Sequence, residues 1–369
     1  MHLKSSRFRC AAAGALAMSL VSFVAPATAI AQRAGGAIDS LARAFKAENH
    51  LPALVIGVVS SEGEKILPYG VVGADGTPAT ADTRFEIGSI TKVFTSLLLA
   101  DMVDRGEVSL DDPIAHYLPD SVSAPEYRGQ QITLRELATH TSSLPRLPTN
   151  IAPADMLDPY ADYTADQLYA FLDSYDLSQA PDTHYEYSNL GAGLLGFLLS
   201  RHAGTPYAKL LQERVIQPLG LADSYVAQLG GGTDERMAQG HAGGKPVAYW
   251  HFGTLEGAGG VRSTANDLLH LLSVELHPAK APLSSAIELS QKIRYRVSPQ
   301  LALALGWHVV PLSDSTSFFW HNGGTGGARS FVGFAPEAGV GIVLLTNEAL
   351  PLEAVNQFAF KVARAALEP

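Results

Sequence analysis

Strand-like segments lie near both ends of this chain, and segments with a helical pattern fill the stretch between them. Runs rich in β-branched and aromatic residues predict strands at residues 54–59, 65–72, 304–310, 318–320, 328–334 and 340–346. Apolar residues at helical spacing predict helices at residues 38–49, 89–105, 133–140, 164–175, 190–203 and 352–367. We therefore expect an α/β (α+β) fold in which a sheet part, about 32–110 and 250–369, holds an inserted helical part, about 111–249.

The first 31 residues have the organisation of a secretory signal peptide. Three basic residues precede an apolar run from Cys10 to Val24, and small residues then allow cleavage after Ala29 or Ala31. The apolar run is shorter than the roughly 20 residues that a membrane-spanning helix needs. We expect a periplasmic or secreted mature protein, residues 32–369, with no stable membrane span after cleavage. Cys10 is the only cysteine, so the mature protein is expected to have no disulfide and no thiol nucleophile.

The charge balance of the chain argues against a role in nucleic-acid binding. The 369 residues carry a net charge of −10, and no cluster of Lys and Arg lies in the body of the chain. Nucleic acid requires a basic face. The 12 histidines include no His-x-His or His-Glu-x-x-His spacing, so we expect neither a bound metal nor another cofactor. We expect a monomer that acts on a small-molecule or peptide substrate.

Ser89 and Lys92 are the first candidates for chemistry, because a helix brings positions three residues apart to the same face. A serine hydroxyl needs a base, and a lysine can supply one only when burial or nearby positive charge lowers its pKa. A serine at the start of a helix also lies near backbone N–H groups that favour negative charge. By itself this spacing is common, and most such pairs are ordinary surface residues.

The segment Tyr187-Ser188-Asn189 offers a second set of polar groups. A tyrosine beside a nucleophile can relay protons, and an asparagine amide can position a substrate carbonyl. The alternative is a turn whose polar residues cap the helix that begins near Leu190, and taken alone this alternative is preferred. Tyr185 is a neighbouring candidate that lacks the asparagine two residues later.

The segment from His321 to Gly324 follows the strand predicted at 318–320. Glycines let a substrate approach the edge of a strand, so that the backbone can pair with it or donate to an oxyanion. The alternative is a flexible hairpin, since glycines also stand at positions 326 and 327.

Two other patterns are set aside. A Gly-x-Gly-x-x-Gly match at residues 191–196 follows a polar segment, whereas dinucleotide binding requires a buried strand before the glycines. Close helix packing explains these glycines better. The Gly-x-Ser-x-Gly elbow of α/β-hydrolases is absent from the sequence, which disfavours that fold.

Taken together, Ser-x-x-Lys, Tyr-x-Asn and His-x-Gly in this chain order resemble the serine β-lactamase and penicillin-binding protein superfamily, and within it the family related to class C β-lactamases. The resemblance covers nearly the whole mature chain, through the segments 85–92, 106–119, 132–145, 259–264 and 323–334. It implies an antiparallel sheet flanked by helices with an inserted all-helical domain, as in β-lactamases and DD-peptidases.

The resemblance also implies a role for each matching residue. Ser89 would attack a carbonyl, and Lys92 and Tyr187 would handle its proton. The backbone N–H groups of Ser89 and Gly324 would form the oxyanion hole. Acylation would give a covalent acyl-enzyme, which water then cleaves. The residues assigned to substrate binding, with Asn189 orienting an amide, are Asn189, His321, Asn322, Gly323 and Gly324.

Two positions depart from the family pattern and bear on the substrate. His321 stands where class C β-lactamases carry the lysine of Lys-Thr-Gly, and a histidine with an ordinary pKa of about 6.5 is mostly neutral at pH 7. It would hold the carboxylate of a β-lactam firmly only if it stayed protonated. Arg146 and Leu147 stand where class C enzymes place a glutamine near the substrate side chain.

Hydrolysis of the amide bond of β-lactams is the predicted activity. The enzymatic alternatives on the same site are a D-Ala-D-Ala carboxypeptidase, a D-aminopeptidase and a carboxylesterase, since His-x-Gly occurs among such enzymes. The non-enzymatic alternative is a protein that becomes acylated and stops, as a sensor or a cell-wall binding module. The complete set of Ser89, Lys92, Tyr187 and Asn189 argues against that alternative, because a scaffold has no need of it.

Overall fold

The computed structural model describes residues 27–228, 230, 234–313 and 315–367. Most of the predicted signal peptide, residues 1–26, lies outside the described residues. The two predicted cleavage positions, after Ala29 and after Ala31, fall within the first helix, Ala27–Glu48. No helix in the described part of the chain is both long enough and apolar enough to cross a membrane.

Strands from the two ends of the chain pair in one antiparallel sheet, as the sequence predicts. In chain order the strands are β1 (Ala53–Ser60), β2 (Gly63–Gly70), β3 (Phe85–Glu86), β4 (Glu126–Tyr127), β5 (Gln130–Gln131), β6 (Tyr225–Val226), β7 (His241–Ala242), β8 (Lys245–Pro246), β9 (Val261–Ser263), β10 (Tyr295–Ser298), β11 (Leu301–Leu303), β12 (His308–Ser313), β13 (Thr316–Gly324), β14 (Arg329–Ala335) and β15 (Val340–Thr346). Within the described residues the large sheet has the order β10-β11-β12-β13-β14-β15-β1-β2. Because β1 pairs with β15, backbone hydrogen bonds join the two ends of the chain.

Helices fill the middle of the chain and flank the sheet. They are α1 (Ala27–Glu48), α2 (Thr91–Asp104), α3 (Leu134–Ala138), α4 (Ala165–Ser174), α5 (Asn189–Ala203), α6 (Tyr207–Leu211), α7 (Ala265–Leu276), α8 (Ser284–Gln291) and α9 (Leu352–Leu367). Local sequence sets where two of them begin. Thr133 forms a capping box with Glu136 at the start of α3, and Thr164 forms one with Gln167 at the start of α4.

Both faces of the large sheet are covered, so its central strands are apolar on both sides. α1 and α9 pack on one face, where the rings of Phe45 and Phe358 stack 3.9 Å apart. α7 contacts β1 and β15 on the other face. Alternate residues of β1 enter different cores, with Leu54 and Ile56 in one and Val55 in the other. This two-sided burial explains why β1 reads as a continuous apolar run.

The glycines of α5 allow close helix packing. A Cβ at Gly193 would lie 2.7 Å from the side chain of Leu255, and a Cβ at Gly196 would lie 3.0 Å from the Cα of Gly257. Larger residues would push α5 away from the segment that carries Leu255 and Gly257. The Gly-x-Gly-x-x-Gly match therefore serves the packing of α5 against residues 255–257.

The strand predicted at residues 304–310 is wrong in its first half. The chain leaves β11 at Leu303 and turns at Gly306, whose φ of +73° interrupts the extended backbone, so β12 begins only at His308. The sequence analysis also missed α7 and α8. For α7 the signal was present, because Thr264 caps the helix by accepting a hydrogen bond from the N–H of Asp267.

Candidate active site

Ser89 lies in a 3₁₀ turn, Gly88–Ile90, that leads into α2. Ahead of the turn, β3 pairs with β9, and beyond it every residue of α2 from Thr91 to Met102 is buried. Tertiary contacts therefore hold the turn at both ends. Ser89 itself is half-buried and borders a cavity, so its hydroxyl is fixed in place and still accessible.

Lys92 is buried directly below Ser89. Its Nζ lies 2.9 Å from the Oγ of Ser89, 2.9 Å from the Oδ1 of Asn189 and 2.8 Å from the carbonyl oxygen of Ala258. Burial, and after it the positive charge of Arg146, lower the pKa of Lys92 well below its ordinary value. Both effects disfavour the ammonium form, so the structure favours a neutral amine.

A neutral lysine amine has two N–H donors and one lone pair. The Oδ1 of Asn189 and the carbonyl of Ala258 can only accept, so these two oxygens take the two hydrogens. The lone pair is then left for the hydroxyl of Ser89, which can donate to it. The Nδ2 of Asn189 donates to the hydroxyl of Tyr160 at 3.2 Å, which keeps its Oδ1 turned toward Lys92. This is the geometry of a general base aimed at a nucleophile.

The segment Tyr187-Ser188-Asn189 forms the beginning of α5. Ser188 is the cap, because its Oγ accepts a hydrogen bond from the N–H of Gly191 at 2.8 Å. Tyr187 and Asn189, on either side of the cap, both line the cavity beside Ser89. One short segment thus contributes a helix cap and two side chains of the cavity wall.

Tyr187 is buried, and two basic side chains lie near its ring. The Nζ of Lys92 lies 4.9 Å and the Cζ of Arg146 lies 5.2 Å from the centroid of its ring. Burial raises the pKa of Tyr187 above its ordinary value, while the Ser89 hydroxyl and Arg146 oppose part of the shift. Because burial is the larger effect, Tyr187 keeps its phenolic proton at neutral pH.

The glycines at the end of β13 pack closely against the turn that carries Ser89. A Cβ at Gly323 would overlap the carbonyl oxygen of Ile87, and a Cβ at Gly88 would lie 2.7 Å from the backbone nitrogen of Gly324. The hydroxyl of Ser330 on β14 donates to the same carbonyl of Ile87 at 2.7 Å, which ties the turn to the sheet. Glycine is needed here because the turn and β13 approach each other closely. The sequence analysis expected these glycines to admit a substrate, whereas these contacts are with the protein's own backbone.

Ser89 opens into a cavity of about 320 Å³, a size that suits a small molecule. The predicted site residues that line it are Ser89, Tyr187, Asn189, Asn322, Gly323 and Gly324. Lys92 lies beneath the lining, and His321 lies behind it. The other lining residues, most of them aromatic, are Arg146, Tyr160, Tyr185, Trp250, His308, Trp320 and Leu352.

Comparison with known proteins identifies the family of this chain. The family model described as Beta-lactamase matches residues 38–366. The chain belongs to the beta-lactamase family. This membership confirms the resemblance, the fold and the expectation that the protein is an enzyme, a serine hydrolase.

Several known proteins align with most of this chain. A beta-lactamase of Pseudomonas fluorescens is 28% identical over 354 residues, which are 85% of this chain and 93% of the relative. A beta-lactamase of Escherichia coli (strain K12) is 28% identical over 353 residues, 86% of this chain and 90% of the relative. The D-alanyl-D-alanine-carboxypeptidase/endopeptidase AmpH of the same organism is 30% identical over 287 residues, 73% of this chain and 72% of the relative.

His321, the departure from the β-lactamase pattern, is 1% exposed. Its Nδ1 donates to the carbonyl of Asn322 at 2.6 Å, so in the neutral ring Nε2 is an acceptor, and none of the described residues donates to it. Burial, and after it the neighbouring His308 and Lys92, lower the pKa of His321 well below its ordinary value. His321 is therefore neutral at pH 7. It does not line the cavity, whereas its neighbours Asn322 and Gly323 do.

Two other histidines pack around Tyr187. His140 lies with its ring centroid 4.4 Å from that of Tyr187, and its Nδ1 accepts the N–H of Ser188 at 3.2 Å. The Nε2 of His308 pairs with the hydroxyl of Tyr185 at 3.0 Å. Burial lowers the pKa of His308 to about 4 and that of His140 well below its ordinary value. These rings therefore bring no positive charge to the cavity at neutral pH.

Sequence reasoning missed Glu86 and Trp250. One oxygen of the buried Glu86 carboxylate accepts the N–H of Trp250 at 2.6 Å, and the other accepts the hydroxyl of Thr325 at 2.7 Å. Glu86 thereby joins β3, just ahead of Ser89, to the loop that carries Trp250 and to the residue after β13. Single residues brought together from distant segments form no motif, so no local signal could have identified them.

Gly323 of β13 has no room for a side chain, because the carbonyl oxygen of Ile87 lies against it. Gly323→Ala is expected to lower kcat/KM by about 100-fold or more, because the added methyl group must push β13 away from Ser89 by a fraction of an ångström or more. Initial rates on a fixed substrate test this, with circular dichroism to verify folding. Gly36→Ala is the matched control, because no heavy atom lies within 4 Å of a Cβ there. A Gly323→Ala enzyme with the parental rate would contradict the need for close approach.

Proposed function

We propose that this protein hydrolyses the amide bond of β-lactams through a covalent acyl-enzyme on Ser89, as a class C-like β-lactamase. The observation that best supports this proposal is the position of Lys92, whose lone pair remains for Ser89 once Asn189 and Ala258 have taken its two hydrogens. The two relatives named beta-lactamase, aligned over most of this chain, support the substrate class.

In acylation, the Nζ of Lys92 takes the proton of Ser89 as Oγ bonds to the carbonyl carbon of the substrate. The carbonyl electrons move to its oxygen, and the N–H groups of Ser89 and Gly324 donate to this oxyanion. Collapse of the tetrahedral intermediate breaks the C–N bond. The leaving nitrogen takes a proton from Tyr187, which regains one from the Lys92 ammonium. The result is an ester on Ser89 and a neutral Lys92.

Deacylation follows the same route with water as the nucleophile. Water loses a proton to the relay of Tyr187 and Lys92 and bonds to the ester carbonyl carbon. The second collapse breaks the bond to Oγ of Ser89, which regains a proton. In this cycle Lys92 is the base, because burial keeps the Tyr187 phenol protonated and the Lys92 amine neutral.

A peptidase acting on D-Ala-D-Ala is the second candidate function. Its support is the AmpH relative, which is 30% identical. The neutral His321 does not separate these two candidates, because a β-lactam carboxylate and the C-terminal carboxylate of a D-Ala-D-Ala peptide would both lack the cationic partner that a lysine provides at this position. A carboxylesterase would need no such partner and is the third outcome that the experiment below can distinguish.

The location and organisation of the protein are part of the same proposal. Residues 1–31 are proposed to act as a signal peptide that delivers a monomeric enzyme to the periplasm or the medium. The sheet part is proposed to comprise about 32–110 and 250–369, with the helical part, about 111–249, inserted between them. Ser89, Tyr187 and Gly323 would then come from different parts and meet at their junction.

A panel of three substrates tests the proposed function. The exported protein is mixed with a chromogenic cephalosporin, a D-Ala-D-Ala peptide and a short-chain p-nitrophenyl ester, and each is also mixed with a Ser89→Ala variant. We expect the cephalosporin to be turned over with the highest kcat/KM, and the variant to be inactive. Turnover of only the peptide or only the ester would refute β-lactam hydrolysis and leave the Ser89 mechanism intact. A lasting adduct without turnover would indicate a sensor.

A further inference from the structure

Arg146 is a cation at the mouth of the cavity. Its carbonyl accepts the N–H groups of Asn189 and Leu190 at 3.0 and 3.2 Å, so its backbone is anchored to the start of α5. Its side chain is exposed, lines the cavity, and lies over the ring of Tyr187. Among the described residues, no carboxylate forms an ion pair with its guanidinium. The charge of Arg146 is thus held beside the nucleophile and left without an acidic partner.

The rest of the cavity offers no competing charge. Within the described part of the chain, no acidic side chain lines the cavity, and the lining histidine, His308, is neutral at pH 7. His321 behind the wall is neutral as well, and the amine of Lys92 is occupied by its three partners. Among the described residues, Arg146 is therefore the one with which an anionic group that enters the cavity can form an ion pair.

We infer that Arg146 binds an anionic group of the substrate, so that this site selects acyl compounds that carry a carboxylate near the scissile bond. The inference rests on the proposed function, because it assumes that Ser89 acylates in this cavity. A guanidinium presents several N–H donors in a plane and can bind both oxygens of a carboxylate. The carboxylate could belong to the leaving group or to the acyl group, and the two sources require different substrates to tell them apart.

Two matched pairs of neutral and anionic esters test the inference. For the acyl side, the pair is the mono-p-nitrophenyl ester of succinic acid and that of succinamic acid. For the leaving group, the pair is 3-acetoxybenzoate and 3-acetoxybenzamide. In each pair a carboxylate is replaced by an uncharged amide of similar size. The measured quantity is the ratio of kcat/KM for the anionic ester to that for the neutral ester.

Arg146→Gln is expected to lower this ratio by roughly 10- to 100-fold in one of the two pairs, the range typical of a charged hydrogen-bonded contact. The pair that responds identifies the side on which the carboxylate lies. Arg146→Lys should restore part of the ratio, and added salt should reduce the parental ratio. Arg128→Gln is the matched control, because Arg128 also lies exposed over a tyrosine ring, 5.1 Å from the centroid of Tyr127, away from the cavity.

Arg146 also lowers the pKa of Lys92, so rates are compared on the pH plateau of each variant. Equal losses for neutral and anionic esters would show that Arg146 does not bind an anionic group of the substrate, and would overturn the inference. Parental ratios in both pairs would overturn it too. If Ser89 is not the residue that is acylated, the result is different, because the Ser89→Ala variant would then still hydrolyse the neutral esters.

Discussion

Replacing Ser89 with alanine is expected to lower kcat by about 10⁴- to 10⁶-fold, the range seen when a serine hydrolase loses its nucleophile. In the proposed mechanism the hydroxyl oxygen bonds to the substrate, and within the described residues no other hydroxyl lies within hydrogen-bonding distance of the Lys92 amine. Any rate that remains would come from the oxyanion donors and from binding alone. Steady-state kinetics on the best substrate of the panel measure the loss.

Ser96→Ala is the matched control for that experiment. Ser96 is a buried serine of α2, about two turns beyond Ser89, and its replacement by alanine is expected to change kcat by less than a factor of about three. If Ser89→Ala also retained the parental kcat, the assignment of the nucleophile would be wrong. The thermal unfolding midpoints of both variants show whether a lost rate reflects a lost fold.

Lys92→Met is expected to lower kcat/KM by about 10³-fold, near the middle of the range for loss of a positioned base. Methionine preserves the apolar stem of the buried side chain and removes the lone pair that faces Ser89. It also leaves the Oδ1 of Asn189 and the carbonyl of Ala258 without their donor, so a fall in stability is expected alongside. Lys209→Met, on the exposed face of α6, is the control and should have the parental rate.

The pH dependence of kcat/KM shows whether Lys92→Met loses activity because it lacks the base or because its structure is disturbed. Lys92 acts as a base only when deprotonated, so kcat/KM for a neutral ester should fall as pH falls through its pKa. Because burial lowers that pKa well below 10.5, the plateau should already be reached at a pH far below 10.5. Lys92→Met should lack this acidic limb. If the limb persisted unchanged in the variant, another group would be the base.

The sequence predicted most of the large sheet because its strands carry strong local signals. β1, β14 and β15 are short apolar runs with turn residues at their ends, and α9 has an apolar stripe at helical spacing. β10 and β11 were missed because they are short and partly exposed, so their patterns resemble loops. The turn at Gly306 was missed because the neighbouring residues are apolar and β-compatible.

The candidate site was predictable only where its residues stand in motifs. Ser89 with Lys92 and Tyr187 with Asn189 occur at fixed spacings that chemistry requires, and the structure brings them within hydrogen-bonding reach of one another or into one cavity. Trp250 and Glu86 reach the site through long-range packing, which no local pattern records. The neutrality of His321 depends on burial, which the sequence could not reveal.

The most direct test of the central claim is to locate the acyl group in the trapped intermediate. The protein is mixed with a slowly hydrolysed β-lactam, quenched in acid and digested with trypsin. Cleavage after Arg84 and Lys92 releases the peptide FEIGSITK, in which Ser89 and Thr91 carry the hydroxyl groups. We predict that this peptide gains the mass of the intact β-lactam, and that fragment ions place the added mass on Ser89. An adduct on any other residue, or turnover of a β-lactam with no adduct at all, would contradict the acyl-enzyme mechanism.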